Sequence, residues 1–226
     1  MATALVPDGD LQAFLRQVFG CSADVAASIG GRANDRRYPA RVVILKQGDS
    51  NAATFLMMAG RAHALSYGVE GQTVLLHEFL PGDFFGAIAE ASPEPVEGEV
   101  RAIEDVRAAV FLALDFLGLL EMHSCVGLAV SRRLLRQLQA TAARMVERTT
   151  LSAVGRVHAE LLRLARLGDG RTVRPQPVLS ALAVRVHSTR ETVSRTINAL
   201  ERRGLIRREA DALVIVAPHR LEEMVF

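Results

Sequence analysis

The stretch Val178-Leu-Ser-Ala-Leu-Ala-Val-Arg-Val-His-Ser-Thr-Arg-Glu-Thr-Val-Ser-Arg-Thr-Ile-Asn-Ala-Leu-Glu-Arg-Arg-Gly-Leu-Ile206 reads as two short helices around a tight turn. Val178, Leu179, Leu182, Ala183 and Val186 recur at helical spacing and make one apolar face. His187-Ser188 marks the turn. Ser188-Thr-Arg-Glu191 has the form of a capping box, in which the Ser188 hydroxyl accepts from the amide near Glu191 and the Glu191 carboxylate reaches back. Val193, Ile197 and Leu200 then form the inner face of a second helix, and Gly204 stops it. Thr189, Arg190, Glu191, Ser194, Arg195 and Arg202 remain outside that face. Leu205-Ile206 and Leu213-Val214-Ile215-Val216 flank residues 207–212 as a β-hairpin. Helix, turn, helix and hairpin describe a winged helix-turn-helix. Such a motif presents polar side chains from the first turns of its second helix to base edges in the major groove. Arg can bridge guanine O6 and N7, and Glu can accept from cytosine N4. Arg190, Glu191 and Arg195 are the candidate base readers. Arg185, Arg202, Arg203 and Arg207 are expected to meet phosphates or face solvent.

The charge distribution agrees. The net charge is only +2, yet residues 152–226 hold 13 Arg against 8 acids, and the preceding residues hold 14 basic groups against 17 acids. Residues 171–208 contain 9 Arg and only Glu191 and Glu201 as acids. A basic C-terminal module beside a mildly acidic N-terminal one is the layout of a nucleic-acid binder. Its plainer alternative is a solvated Arg-rich face.

Upstream, Leu11, Phe14, Leu15 and Val18 predict short helices within residues 10–31, closed by Gly30-Gly31. From residue 41 the pattern changes to short apolar or β-branched runs: 42–45, 54–58, 62–67, 73–79, 99–106 and 108–114. They are separated by Gly48-Asp49, Gly60, Gly68, Gly71 and Pro81-Gly82-Asp83. That rhythm predicts an antiparallel sandwich or roll. A long helix is expected over 124–151, where Leu128, Ser131, Leu135, Leu138, Ala142, Met145 and Thr149 alternate spacings of three and four. Such a seam suits a two-helix coiled coil, with Leu128, Leu135, Leu138, Ala142 and Met145 at the interface; the alternative is an amphipathic helix packed on its own domain. A further helix over 153–167 ends at a Gly168-Asp169-Gly170 turn. The expected division is 1–123, 124–151 and 152–226.

Ser188-Thr-Arg-Glu-Thr-Val-Ser-Arg195, followed by Leu200-Glu-Arg-Arg-Gly-Leu-Ile206, resembles the C-terminal signature of the Crp/Fnr transcription regulators. Gln47-Gly-Asp49, Gly60 and Pro81-Gly-Asp-Phe-Phe-Gly86 resemble the glycine-marked turns of that family's cyclic-nucleotide-binding-type β-roll, and Leu151-Ser-Ala-Val-Gly-Arg156 resembles its hinge. The resemblance covers about residues 40–217 in the right order. It implies an α+β chain: an N-terminal antiparallel β-roll of the double-stranded β-helix type, a long dimerisation helix and a C-terminal winged helix-turn-helix. It further implies a cytoplasmic homodimer on a two-fold-related DNA site, with RNA polymerase as a further partner. By resemblance Arg190, Glu191 and Arg195 read bases. The first belongs to a branch favouring TGTGA-like half-sites, while Ser194 is similar to a branch favouring TTGAT; TGA is shared.

The effector site departs from the family. Members that bind cyclic AMP carry a Glu after the Phe-Gly turn, holding the ribose, and an Arg-Ser about ten residues on, holding the phosphate. Here Ala87 follows Gly86, and Val96-Glu97-Gly98 stands near the second position in a loop about one residue shorter, with Pro93 and Pro95 removing amide donors. Between Lys46 and Arg101 the only Arg or Lys is Arg61, while Glu90, Glu94, Glu97 and Glu99 crowd the region. Like charges oppose an anion that needs charge-assisted donors. Thr141 is retained where the family's long helix reaches an adenine. The expected pocket is Gly86, Ala87, Ile88, Val96, Glu97, Thr141 and Ala142, without cyclic AMP or cyclic GMP as effector.

Other chemistries find little support. The six His show no paired metal spacing. Cys21 and Cys125 are too few for a disulfide scaffold or a thiolate-held cluster, and point to a reducing compartment. No nucleophile–base constellation or phosphate loop marks an enzyme. No run of about 18 apolar residues marks a membrane span, and no secretory signal opens the chain. Neither cofactor nor metal is expected. The alternative function is a small-molecule, haem or redox sensor of the same fold with weak nonspecific DNA affinity.

Overall fold

A computed structural model describes residues 11–68, 73–88 and 94–225. Gly71, Glu90 and Pro93, singled out above, lie outside the described residues, as does the side chain of Glu94. The chain forms two compact units, one reaching Thr141 and the other beginning at Ala142. The division falls within the long helix rather than at either of its ends.

The first unit begins with α1 (Leu11–Phe19) and α2 (Ala23–Gly30), the latter capped by the Ser22 hydroxyl. Among the described residues ten strands follow: β1 (Asn34–Tyr38), β2 (Val43–Leu45), β3 (Ser50–Asn51), β4 (Ala53–Ala59), β5 (Ala62–Tyr67), β6 (Thr73–Phe79), β7 (Phe84–Gly86), β8 (Glu94–Pro95), β9 (Glu99–Ala102) and β10 (Val106–Leu112). Their pairings are antiparallel, in the orders β1-β10-β4-β7, β2-β9-β5-β6 and β3-β8. Then come α3 (Ala113–Met122) and α4 (Ser124–Thr150).

The sequence of β4 shows why it sits at the centre. Successive strand residues face opposite sides. Phe55 and Met57 enter the core between the sheets, while Leu56 and Met58 enter a second core beneath α1, α2 and α3. Both faces are buried, so the run is apolar throughout. Two turns require glycine. Gly60 (φ +81°) would bring a Cβ to 2.1 Å from the Asp105 carbonyl oxygen, and Gly86 (φ +90°) would bring one to 2.3 Å from that of Ala53.

The structure corrects two strand boundaries. Residues 99–106 are not one strand: the chain turns after Ala102 and Val106 opens β10. The run 108–114 gives way to helix at Ala113, where Phe116 and Leu119 reach the second core.

In the second unit, α5 (Ala153–Arg166) is capped by the Ser152 hydroxyl, which accepts from the Gly155 amide at 3.0 Å. Asp169 closes the following turn by accepting from the Arg171 and Thr172 amides at 2.8 and 2.6 Å, and those donors pull its carboxyl down to about 2. β11 (Thr172–Val173), α6 (Leu179–Arg185), α7 (Arg190–Arg202), β12 (Ile206–Arg208), β13 (Leu213–Ile215) and α8 (Pro218–Glu223) complete the unit. The wing is a three-stranded sheet, β11-β13-β12. One core gathers Leu161 from α5, Leu182 from α6, Val193, Ile197 and Leu200 from α7, and Ile215 from the wing. Val178, placed on the inner face by its spacing, is instead the exposed residue before α6. Among the described residues no single helix is long and apolar enough to cross a membrane.

Candidate nucleic-acid interface and effector cavity

The turn before α7 sets its first residues. His187 adopts φ +48°, and the Ser188 amide still bonds back to the Ala183 carbonyl at 3.0 Å. Ser188 therefore closes α6 and does not cap α7. The cap is Thr189, whose hydroxyl accepts from the Thr192 amide at 3.2 Å. Either neighbouring hydroxyl satisfies the sequence pattern; the left-handed turn at His187 moves the cap one residue on. Thr192 occupies the position that a capping box reserves for Glu, and Glu191 lies one residue earlier in the first turn.

With Val193, Ile197 and Leu200 buried, Thr189, Arg190, Glu191, Arg195 and Arg202 are exposed and Ser194 is half-exposed. Among the described residues, Arg190, Glu191 and Arg202 have no ion-pair partner, and Arg195 makes only a 3.4 Å bond to the Thr192 hydroxyl. Among the described residues these side chains hold no internal ion pair; Arg185 does. Its side chain is largely buried against Glu160 at 3.5 Å, so the expected phosphate contact is replaced by an internal ion pair. Arg208 joins the wing to α7 through Asn198 and Glu201.

Sequence reasoning missed Arg156 as the organiser of this turn. Its guanidinium donates to the carbonyls of Leu151, Val186 and His187 at 2.9, 2.8 and 3.2 Å. It thereby ties the chain after α4 to the helix-turn-helix turn. Burial, followed by Arg148, Arg156 and Arg144, lowers the pKa of His187. His158 is nearly fully buried and its Nδ1 donates to the Met224 carbonyl at 3.0 Å; burial lowers its pKa as well.

A separate cavity of about 560 Å³ lies in the first unit. Gly86, Ala87, Ile88, Val96, Glu97 and Thr141 line it, as the sequence reading placed them; Ala142 does not. Ala142 is exposed and belongs to the other unit. The lining also includes Leu45, Phe79 and Phe85 from the roll and Leu134, Gln137 and Leu138 from α4. The Pro81-Gly82-Asp83 turn is fastened to α4 because buried Asp83 binds Arg133 and accepts from Gln137 at 3.2 Å. Arg61 and Arg101 are outside the lining and are paired with Glu104 at 3.1 Å and Glu99 at 2.7 Å.

On α4 itself only Val126 and Val130 are buried. Leu128, Leu135, Leu138 and Met145 are 50%, 55%, 66% and 68% exposed. Cys21 and Cys125 are free thiols packed on the same core, where burial and then Cys125 raise the pKa of Cys21. Among the described residues no group of three or more His, Cys, Asp or Glu could hold a metal ion.

Residues 35–123 match the Cyclic nucleotide-binding domain family, and residues 155–224 match the Crp-like helix-turn-helix domain family. The chain belongs to the Crp/Fnr family of transcription regulators. This Crp/Fnr regulator is 27% identical over 191 residues to the Cyclic AMP receptor protein of Thermus thermophilus, covering 84% of this chain and 88% of that protein. It is 25% identical over 185 residues to the cAMP-activated global transcriptional regulator CRP of Salmonella typhimurium, covering 79% and 88%. A CooA mutant from Carboxydothermus hydrogenoformans shares the fold with a TM-score of 0.79 at 16% identity, covering 94% of this chain and 95% of that one. The Crp/Fnr helix-turn-helix is a DNA-binding domain, and the Salmonella relative is named as a transcriptional regulator.

Proposed function

We propose that the protein is a cytoplasmic, homodimeric, sequence-specific DNA-binding regulator that works with RNA polymerase and is not controlled by cyclic AMP or cyclic GMP. The observation that carries the DNA reading is α7: a fully buried inner face holds Arg190, Glu191 and Arg195 outward beside a cap, with no ion-pair partner for Arg190 and Glu191 among the described residues. Thr189, Ser194 and Arg202 border them. The open stripe of Leu128, Leu135, Leu138 and Met145, with exposed Ala142, supports pairing of two copies along α4. Two copies match half-sites related by a two-fold axis, with TGA as the shared core. Free Cys21 and Cys125 fit a reducing cytoplasm.

The cavity supports independence from cyclic nucleotides. A cyclic phosphate must exchange its water for charge-assisted donors. The described lining offers no Arg or Lys, Ala87 stands where a ribose-binding Glu is expected, and Arg61 and Arg101 are held elsewhere. Losing these donors moves a micromolar site toward millimolar, about 4 kcal/mol. Calorimetry tests this: a dissociation constant at or below about 10 μM for either nucleotide sinks the claim.

Selection of bound sequences from a random duplex pool tests the main reading. The expected outcome is a two-fold-related, TGA-containing site bound about 10³-fold or more above random DNA. The cavity favours a second reading, a small-molecule, haem or redox sensor with weak nonspecific DNA affinity. A ratio near one selects that reading.

A further inference from the structure

The chemistry of the cavity names what it can hold. Its walls are mostly apolar, and part of the wall is a run of rings. Phe55 and Phe85 stack at 4.7 Å, Phe79 meets Phe85 at 4.9 Å, and His77 meets Phe79 at 4.8 Å. Phe85, Phe79 and His77 line the space directly. Ring faces carry partial negative charge and attract aromatic edges and cations.

Two of the polar lining groups are already engaged. The Asn51 amide donates to the Ala53 carbonyl at 2.7 Å and accepts from the Ala53 amide at 3.2 Å. The Gln137 amide donates to Asp83. The charged group among the described lining residues is Glu97, which is exposed and has no ion-pair partner there. Residues 69–72 and 89–93 cannot reverse this sign, because Val-Glu-Gly-Gln and Ala-Glu-Ala-Ser-Pro contain no basic side chain. An anion entering the cavity loses its water, gains no Arg or Lys, and meets the Glu97 carboxylate. A neutral ring system meets none of these penalties, and a cationic one, although it also sheds water, is attracted by the Glu97 carboxylate and the ring faces. The volume of about 560 Å³ suits a compact molecule of a few rings.

We propose that this cavity binds a compact aromatic ligand without negative charge, neutral or an amine, and that Glu97 selects against anions at its entrance. The proposal rests on the reading that the protein is not controlled by cyclic nucleotides.

Two fluorescent probes with the same ring skeleton test it on the full chain: uncharged N-phenylnaphthylamine and its sulfonated counterpart, anilinonaphthalene sulfonate. Titrations belong at about pH 8, where an ordinary histidine is neutral. Wild type is expected to bind the uncharged probe about tenfold or more tightly than the sulfonate. Glu97→Arg is expected to shift the ratio of the two dissociation constants about tenfold toward the sulfonate. Circular dichroism and melting temperature confirm that the exposed substitution leaves the fold intact. Equal affinities on wild type overturn the proposal. So does a ratio unchanged by Glu97→Arg, which places the probes on the open stripe of α4. Tight cyclic AMP binding in the calorimeter overturns the underlying reading. Equal probe affinities without cyclic AMP binding overturn the ligand class alone.

Discussion

Two helices of this chain carry apolar stripes, and the stripes meet different fates. On α7, Val193, Ile197 and Leu200 are buried by the rest of their own unit; Ile197 is 1% exposed. On α4, Leu128, Leu135, Leu138 and Met145 are each at least half exposed. Periodicity identified both as amphipathic and could not say what covers either. The covered stripe frees its opposite face for recognition. The open one is the larger unmet demand for a partner, which the proposed dimer would meet with the same stripe of a second copy.

The sharpest way to break that contrast is to charge each stripe's logic separately. Leu135→Asp is expected to weaken dimerisation by about 1,000-fold, roughly 4 kcal/mol, because both copies would bring a carboxylate into an apolar seam. Its own unit should melt as before. Ile197→Ala should do the reverse, destabilising the DNA-binding unit by about 2–5 kcal/mol at every protein concentration. Sedimentation over a concentration series, with melting curves, separates the two; a Leu135→Asp dimer of undiminished affinity would place the interface elsewhere.

Arg156→Ala tests whether α7 depends on its neighbouring turn as well as its buried face. Three carbonyls lose their donor, and a loss of about 2 kcal/mol is expected in chemical denaturation of the DNA-binding unit. A change within experimental scatter would mean that water replaces the guanidinium.

On the outer face, Arg195→Ala is expected to reduce specific affinity by roughly 1–3 kcal/mol and relax one base position. Arg202→Ala should weaken all sequences alike and lower the salt slope by about one unit. An unchanged selected site for Arg195→Ala would refute its role.

The smallest effect is pH. His158 and His187 have folded pKa values below the ordinary 6.5, chiefly through burial. Well above 6.5 both are neutral in either state. As pH falls below it, the unfolded chain takes up protons first, so stability is lost from about 6.5 down to the depressed folded values. Hydrogen exchange of the α7 amides should speed accordingly; exchange that shows no such destabilisation after correction for intrinsic rates would remove the histidines from the account.

What the sequence made legible follows from how local each feature is. The helix-turn-helix and its wing use neighbouring residues, and their elements stood close to expectation. The cap moved from Ser188 to Thr189 because the backbone sign at His187 decides between two adequate hydroxyls. β1 escaped notice because Asn34-Asp-Arg-Arg-Tyr38 is exposed on nearly every residue and owes its shape to hydrogen bonds from β10. β3 and β8 are two residues each, too short for periodicity. The Arg185–Glu160 pair spans 25 positions and leaves no local trace. Most of the expected cavity residues line it, yet its walls run from Leu45 to Thr141, so resemblance and not pattern brought them together.

Gly86 has a consequence for how such regulators diversify. No side chain fits there without displacing the strand opposite, so that point of the frame cannot drift. Immediately beyond it, Ala87 and Ile88 line the cavity, as do Val96 and Glu97. Single-codon changes at those places can alter what the socket admits while its rim stays fixed. If the cavity binds a signal as proposed, its selectivity can be changed in small steps without rebuilding the loop that carries these residues.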